Sequence, residues 1–304
     1  MAFQLLGLVA ATHTPFDAHG ELDLSIVEKQ AEHLARSGVR TVFIGGSTGE
    51  SHSLTLNERL ELCTRWSEVV RGSDLTLVVH VGANCLSDAS TLARQAQANG
   101  ARAISALSPS YFKPKTLPLL VECCEQIASA APEVPFYFYD IPVLTGVSFS
   151  MPDFLAMARE RIPTLNGIKF TNPDLMAYQK CLHAQHETFD IPWGVDEYLL
   201  AALSLGAAGA VGSSYNFAAP IYNRLIAAFH EGDLETARAQ QYRSVQLIDL
   251  LASHGYMPAA KAVMGFLGVE VGPARLPHGN LEPQQRATLR TSLEQLGFFD
   301  WISE

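Results

Sequence analysis

Short β-branched or aromatic runs alternate with longer stretches of helical period along most of this 304-residue chain. The runs at 7–14, 40–45, 75–82, 101–107, 135–141, 167–171, 191–195 and 208–212 read as strands. Helical period fills 24–37, 56–70, 87–99, 117–131, 151–161 and 174–185, and Ser or Asp stands ahead of several of these segments as an N-cap. Parallel strands need a crossover, usually a helix. Eight alternations within residues 1–232 therefore predict an α/β chain closed as a (β/α)8 TIM barrel. An open doubly wound sheet would want Gly-x-Gly-x-x-Gly after the first strand, and Ala10-Ala11-Thr12-His13-Thr14-Pro15 is unlike it. Residues 233–304 read as three further helices. No linker or shift of composition precedes them, so they are expected to pack on the barrel as a helical appendage within one structural unit.

Hydrophobic residues make up 48% and charged residues 17% of the chain, too apolar and too weakly charged for disorder. The 21 Lys+Arg against 31 Asp+Glu give a formal charge of −10, which argues against a nucleic-acid partner. One stretch, 198–223, carries no charge and is long enough to span a bilayer. Gly206, Gly209, Gly212, Ser213, Ser214, Asn216 and Pro220 interrupt it, and a buried strand between two helices explains it better. The five cysteines are odd in number and contain no Cys-x-x-Cys, so neither a disulfide framework nor a thiolate zinc site is expected. The opening Met-Ala-Phe-Gln-Leu-Leu-Gly lacks the basic and long apolar regions of a signal peptide. A cytoplasmic protein without a membrane partner is the expectation.

In a (β/α)8 barrel the chemistry lies at the C-terminal ends of the strands, which shortens the list of candidates. Lys169 lies inside Gly-Ile-Lys-Phe-Thr (167–171), a short apolar strand. Burial disfavours its ammonium form and should draw its pKa toward neutrality, and a partly neutral amine is the reagent for Schiff-base formation with a carbonyl. A lysine capping an edge and paired with a carboxylate is the structural alternative. Tyr139, near the end of the preceding strand, would place a proton-transferring phenol beside that amine, although strand aromatics are commonly core. Gly45-Gly46-Ser47-Thr48-Gly49-Glu50 follows the second strand and suits an anion nest for a carboxylate or a phosphate, or else an ordinary tight turn. Asp196 and Glu197 follow Gly194 as hydroxyl acceptors or as first-turn acids of the next helix. Ser213 and Ser214, after the last strand, leave room for a ligand and fit a phosphate site equally. His183 and His186, three apart on a helix, form a weak metal candidate without an evident third ligand. Cys123-Cys124 reads as core packing.

These motifs, Gly-Gly-Ser-Thr-Gly-Glu (45–50), Tyr-Asp-Ile-Pro (139–142), Gly-Ile-Lys-Phe-Thr (167–171) and Gly-Ser-Ser-Tyr-Asn (212–216), occur in order at expected strand ends. On them the chain resembles the dihydrodipicolinate synthase/N-acetylneuraminate lyase family of class I aldolases over nearly its whole length. Leu144 stands where the synthase branch carries an arginine, and Gly194, Asp196 and Glu197 match positions that hold sugar hydroxyls in the lyase branch. Asp140 and Ser214 stand where Asn or His, and Thr, are commoner. The resemblance implies reversible cleavage of N-acetylneuraminate (sialic acid) to N-acetylmannosamine and pyruvate. It makes Lys169 the Schiff-base residue and Tyr139 the proton carrier, with Ser47 and Thr48 on the substrate carboxylate. It gives Thr171, Gly194, Asp196, Glu197 and Ser213 to the polyol chain, and it has Tyr111 reaching a neighbouring subunit's site in a homotetramer. No metal or organic cofactor is implied. A related pyruvate-dependent 2-keto-acid aldolase, hydratase or dihydrodipicolinate synthase-like enzyme, a metal-dependent aldolase, a phosphate-sugar isomerase and a non-catalytic ligand-binding barrel are the alternatives.

Overall fold

Seven of the eight apolar runs form continuous parallel strands in the computed structural model, which describes residues 3–184 and 188–304. They are β1 (Gly7–Ala11), β2 (Thr41–Ile44), β3 (Thr76–His80), β4 (Ala103–Leu107), β5 (Phe136–Asp140), β6 (Leu165–Phe170) and β7 (Gly209–Gly212), ordered β6-β5-β4-β3-β2-β1-β7. The predicted strand at 191–195 is present only as single bridges. Trp193 pairs with Phe170 of β6 and with Ala210 of β7, so this segment closes the sheet into a barrel. Pro192 explains the interruption. Its carbonyl accepts from Phe170 N–H at 2.9 Å, but it has no N–H to continue the ladder.

The predicted helices appear, that at 56–70 with its predicted bounds and the others with shifted ends. They are α1 (Val27–Arg36), α2 (Leu56–Val70), α3 (Leu86–Ala98), α4 (Leu117–Ala128), α6 (Met151–Arg159) and α7 (Leu175–Leu182). The first segment opens with a separate 3-10 turn at Leu24–Ile26. Residue 185, the expected end of the last, lies outside the described residues. Thr55 caps α2 in a reciprocal capping box with Glu58, and Ser150 and Asp174 cap α6 and α7. A one-turn helix, α5 (Pro142–Thr145), follows β5 without having been legible as periodicity. The charge-free stretch resolves into a helix, α8 (Leu199–Leu205), then β7, then α9 (Tyr215–Glu231). No helix among the described residues is long and apolar enough to cross a membrane. The tail holds four helices where three were expected: α10 (Leu234–Ser253), α11 (Tyr256–Phe266), α12 (Pro283–Leu296) and α13 (Phe298–Ser303). The additional break falls at Gly297, which ends α12 in the left-handed conformation at φ 84°.

Two hydrophobic clusters follow from the strand alternation. Leu8, Ala10, Val42, Ile44, Phe136 and Phe138 point outward and pack under the helices, in a cluster that also takes in Leu247, Val263 and Leu289 of the tail. Val9, Ala11, Phe43, Val78, Ala103, Tyr137, Tyr139 and Val211 point inward and fill the barrel. Asp190 closes its lower end, accepting from Leu5 N–H at 2.7 Å and from the Tyr137 hydroxyl at 2.6 Å.

Trp193 is fully buried, stacked on Phe170 with centroids 6.0 Å apart and edge-on to Tyr178 at 4.8 Å. Replacing it removes both the ring packing and the wedge that joins β6 to β7. Trp193→Ala is therefore expected to lower the free energy of unfolding by about 3–5 kcal/mol in urea titration. A loss below about 1 kcal/mol would mean that this segment does not hold the barrel closed.

Candidate active site

The β5–β6 register sets Tyr139 directly beside Lys169, both on the inward face. The Lys169 Nζ lies 3.4 Å from the centroid of the Tyr139 ring and 5.2 Å from that of Phe43, and donates to Thr171 Oγ1 at 3.3 Å. None of the ion pairs among the described residues involves it. Burial draws its pKa below the ordinary lysine value, while Tyr139 and the more distant Asp196 carboxylate partly oppose the shift. The edge-capping alternative for Lys169 is thereby excluded: the strand is interior, and the amine has ring faces and a hydroxyl for neighbours.

The 45–50 motif turns in from β2 so that Ser47 Oγ sits 3.4 Å from the Tyr139 hydroxyl, with Thr48 beside it and half-buried. Two groups absent from the sequence-based list hold this turn. His80, at the end of β3, reaches the Gly45 carbonyl through Nδ1 at 2.8 Å, while Leu107 N–H meets its Nε2 at 3.3 Å. The second contact makes Nε2 the acceptor, so Nδ1 carries the proton and donates to Gly45. Burial holds the imidazole neutral, and its ring stands edge-on to Tyr139. A histidine inside the apolar run Val78-Val79-His80-Val81 carries the same signal that singles out Lys169. The second group comes from the tail. Glu50 has a left-handed backbone (φ 54°), and its carboxylate pairs with Lys261 of α11 at 2.6 Å and accepts from Arg275 N–H at 2.8 Å. Lys261 donates onward to the carbonyls of Thr14 and Pro273, which bolts the turn to the C-terminal helices.

Past β6, Gly194 donates its N–H to Phe170 O at 2.8 Å. A Cβ at Gly194 would lie 2.0 Å from Thr171 Oγ1, so only glycine leaves Thr171 where it meets the Lys169 amine. Asp196 is buried. Its Oδ2 accepts from Ser214 N–H at 2.9 Å and from Ser214 Oγ at 2.5 Å. Burial pushes this carboxyl up to about 6 against the pull of those donors. Neither Asp196 nor Glu197 caps the 3-10 turn Asp196–Tyr198, but both are acids of its first turn, as the helix-start alternative expects. Glu197 is half-buried beside Asp196. Ser213 Oγ lies 2.7 Å from the hydroxyl of Tyr256, a residue from α11 that no strand-end pattern could reveal. The phosphate reading of 212–216 loses ground here, because a buried carboxylate already occupies the Ser214 donors.

Some candidates stand apart. Tyr111 is 79% exposed on the loop after β4, with its ring against Phe112 and its N–H on Asn84 Oδ1. Leu144 is exposed on α5. Asp140 points away from the barrel interior and accepts from Asn172 Nδ2 at 3.2 Å. Cys124 is buried in the core and Cys123 half-buried. His183 ends α7, and His186 lies outside the described residues. Among the described residues no group of three or more His, Cys, Asp or Glu is placed to hold a metal.

The model of the dihydrodipicolinate synthetase family matches residues 4–296. The chain belongs to this family. Among the family's curated members, N-acetylneuraminate lyase A of Xenopus laevis is 37% identical over 303 residues, spanning 97% of this chain and 99% of its own. The native structure of N-acetylneuraminate lyase (sialic acid aldolase) from Aliivibrio salmonicida superposes with a TM-score of 0.95 at 38% identity, covering 98% of each chain. A Ruminococcus gnavus sialic acid aldolase, solved as a catalytic lysine mutant, superposes at 0.90 with 26% identity over 96% of this chain and 95% of that one.

Asp140 supplies a pH test of the site's surroundings. Burial pushes its carboxyl up to about 6, so the folded state favours the protonated form and loses stability as pH rises from about 4 through about 6. Asp140→Asn removes that dependence. Measured against the parent, the variant should gain about 2–3 kcal/mol between pH 4 and pH 8 in denaturant titrations. A difference that stays constant across that range would mean Asp140 titrates as an exposed carboxylate.

Proposed function

We propose that the chain is a Schiff-base-forming aldolase that reversibly cleaves N-acetylneuraminate to N-acetylmannosamine and pyruvate. The observation that carries this reading is the buried Lys169 amine, without a carboxylate partner and set against the Tyr139 ring. It is supported by relatives named as N-acetylneuraminate lyases along their whole length.

In this reading the neutral amine attacks the C2 ketone of the open-chain sugar acid and water leaves, giving an iminium. The iminium withdraws the electrons of the C3–C4 bond as the C4 hydroxyl loses its proton, so an enamine and N-acetylmannosamine form. Protonation of C3 and hydrolysis then release pyruvate and free Lys169. Tyr139 carries the proton at the C4 oxygen, and Ser47, 3.4 Å from its hydroxyl, joins Thr48 in holding the C1 carboxylate. Thr171, Gly194, Asp196, Glu197 and Ser213 face the polyol chain. Lys169 supplies the electron sink itself, so no cofactor enters the scheme. Tyr111, exposed on the loop after β4, is assigned to the site of a neighbouring copy in a homotetramer acting in the cytoplasm. A related pyruvate-dependent enzyme of the same family is the second reading. Leu144, at the position of the synthase branch's arginine, speaks against the synthase.

Borohydride reduction in the presence of pyruvate is expected to add one reduced pyruvate to the parent protein, mapped by mass spectrometry to the peptide containing Lys169. Lys169→Ala should fold, take no adduct and show no turnover. A Lys169→Ala protein that still releases pyruvate would refute the mechanism. Tyr139→Phe should keep the adduct while turnover falls by about 10²–10⁴-fold. Glu197→Ala should raise KM for N-acetylneuraminate with pyruvate trapping retained, and parental kinetics in that variant would remove Glu197 from the polyol site.

A further inference from the structure

Asp196 stands at the end of a line of hydroxyl groups that leads out of the barrel into the tail. Ser214 Oγ, bonded to Asp196 Oδ2 at 2.5 Å, lies 2.6 Å from the Tyr222 hydroxyl of α9. The Tyr222 oxygen in turn lies 2.8 Å from Ser244 Oγ of α10. All four side chains are buried. Each hydroxyl has one proton to give, so a carboxylate at the end sets every direction. Ser214 donates to Asp196 and must accept from Tyr222, whose oxygen must accept from Ser244. The line converges on Oδ2 alone. The other oxygen, Oδ1, lies over Gly212, where a Cβ would come within 1.9 Å of it. Glycine at 212 is what lets the carboxylate occupy this place.

We propose that Ser214, Tyr222 and Ser244 are positioning residues: they pin Asp196 through Oδ2 and leave Oδ1 as a fixed acceptor for a hydroxyl of the substrate's polyol chain. The inference deepens the proposed function and rests on Asp196 as a polyol contact. A carboxylate with one oxygen saturated and the other presented singly selects a hydroxyl donor and gives its position little freedom. The groups whose charges bear on Asp196 are Lys169 across the barrel, Glu197 on its own turn, Tyr215 and Tyr222 of α9, and Tyr256 of α11. The hydroxyl line favours the ionised carboxylate, so breaking it moves the Asp196 titration to higher pH.

The test has one readout that does not depend on activity. In protein labelled with 13C at aspartate carboxyls, the resonance missing from Asp196→Asn reports the Asp196 titration. Tyr222→Phe and Ser244→Ala are both expected to move that titration to higher pH. Ser244→Ala is the gentler change, removing one oxygen remote from the barrel. With N-acetylneuraminate, Tyr222→Phe should raise KM about fivefold and carry the acid limb of kcat/KM to higher pH. Its borohydride trapping with pyruvate should stay within about twofold of the parent's, because the line ends at the polyol side. An Asp196 titration unmoved in both variants overturns the relay. A titration that moves as expected, in a protein whose parent does not cleave N-acetylneuraminate, upholds the pinning of Asp196 and overturns the proposed function instead.

Discussion

An ammonium group inside a barrel lined with aromatic rings has little water to solvate it, and the way this chain answers that constraint governs its site. Two lysines are buried, and they meet opposite fates. Lys261 is neutralised by Glu50 at 2.6 Å and by two backbone carbonyls, an arrangement with no free valence for chemistry. Lys169 is given a threonine hydroxyl and the face of a tyrosine. Burial draws both amines below the ordinary lysine value, Lys261 to about 8, but only Lys261 is tied up in an ion pair, so the amine left free of one is that of Lys169. The same residue type serves as a bolt in one place and keeps an amine free of any ion pair in the other, and the difference lies in the neighbours.

The bolt matters to the surroundings of Lys169. Glu50 closes the turn that carries Ser47 and Thr48, and it does so in a left-handed conformation that costs of order 1–3 kcal/mol unless the surroundings hold it. Lys261 and Arg275 supply that hold from the tail, while His80 fixes the other end of the turn at Gly45. Tyr256 and Ser244 reach in from the tail on the Asp196 side. The C-terminal helices thus support both halves of the site, the turn near Tyr139 and the carboxylate beyond β6.

Strand runs, the side chains gathered at the strand ends and the barrel itself were legible because each rests on local pattern. A lysine inside Gly-Ile-Lys-Phe-Thr is anomalous on its face, and its register with Tyr139 follows from two consecutive parallel strands. What escaped reading depends on distant contacts. Trp193 closes the barrel as a bridge rather than a strand because Pro192 breaks the ladder, and the run of apolar residues hides that interruption. Asp196 is a first-turn acid as its position suggests, and nothing local reveals that Ser214, 18 positions away, also holds its carboxylate. His80 could have been found by the reasoning applied to Lys169. Lys261, Tyr222 and Tyr256 could not, since helical period reveals which face is buried but not which strand end it meets.

The net charge of −10 gives no long-range attraction for an anionic sugar acid, so recognition is left to local groups, and the reactive state of Lys169 is the centre of the account. Its most direct test is the pH dependence of imine formation with pyruvate in single-turnover mixing. The rate should rise with a midpoint clearly below the ordinary lysine range, and that midpoint should move toward higher pH when a carboxylate is placed beside the amine by Thr171→Asp. A midpoint within the ordinary lysine range would contradict the claim that burial without a counter-charge activates Lys169.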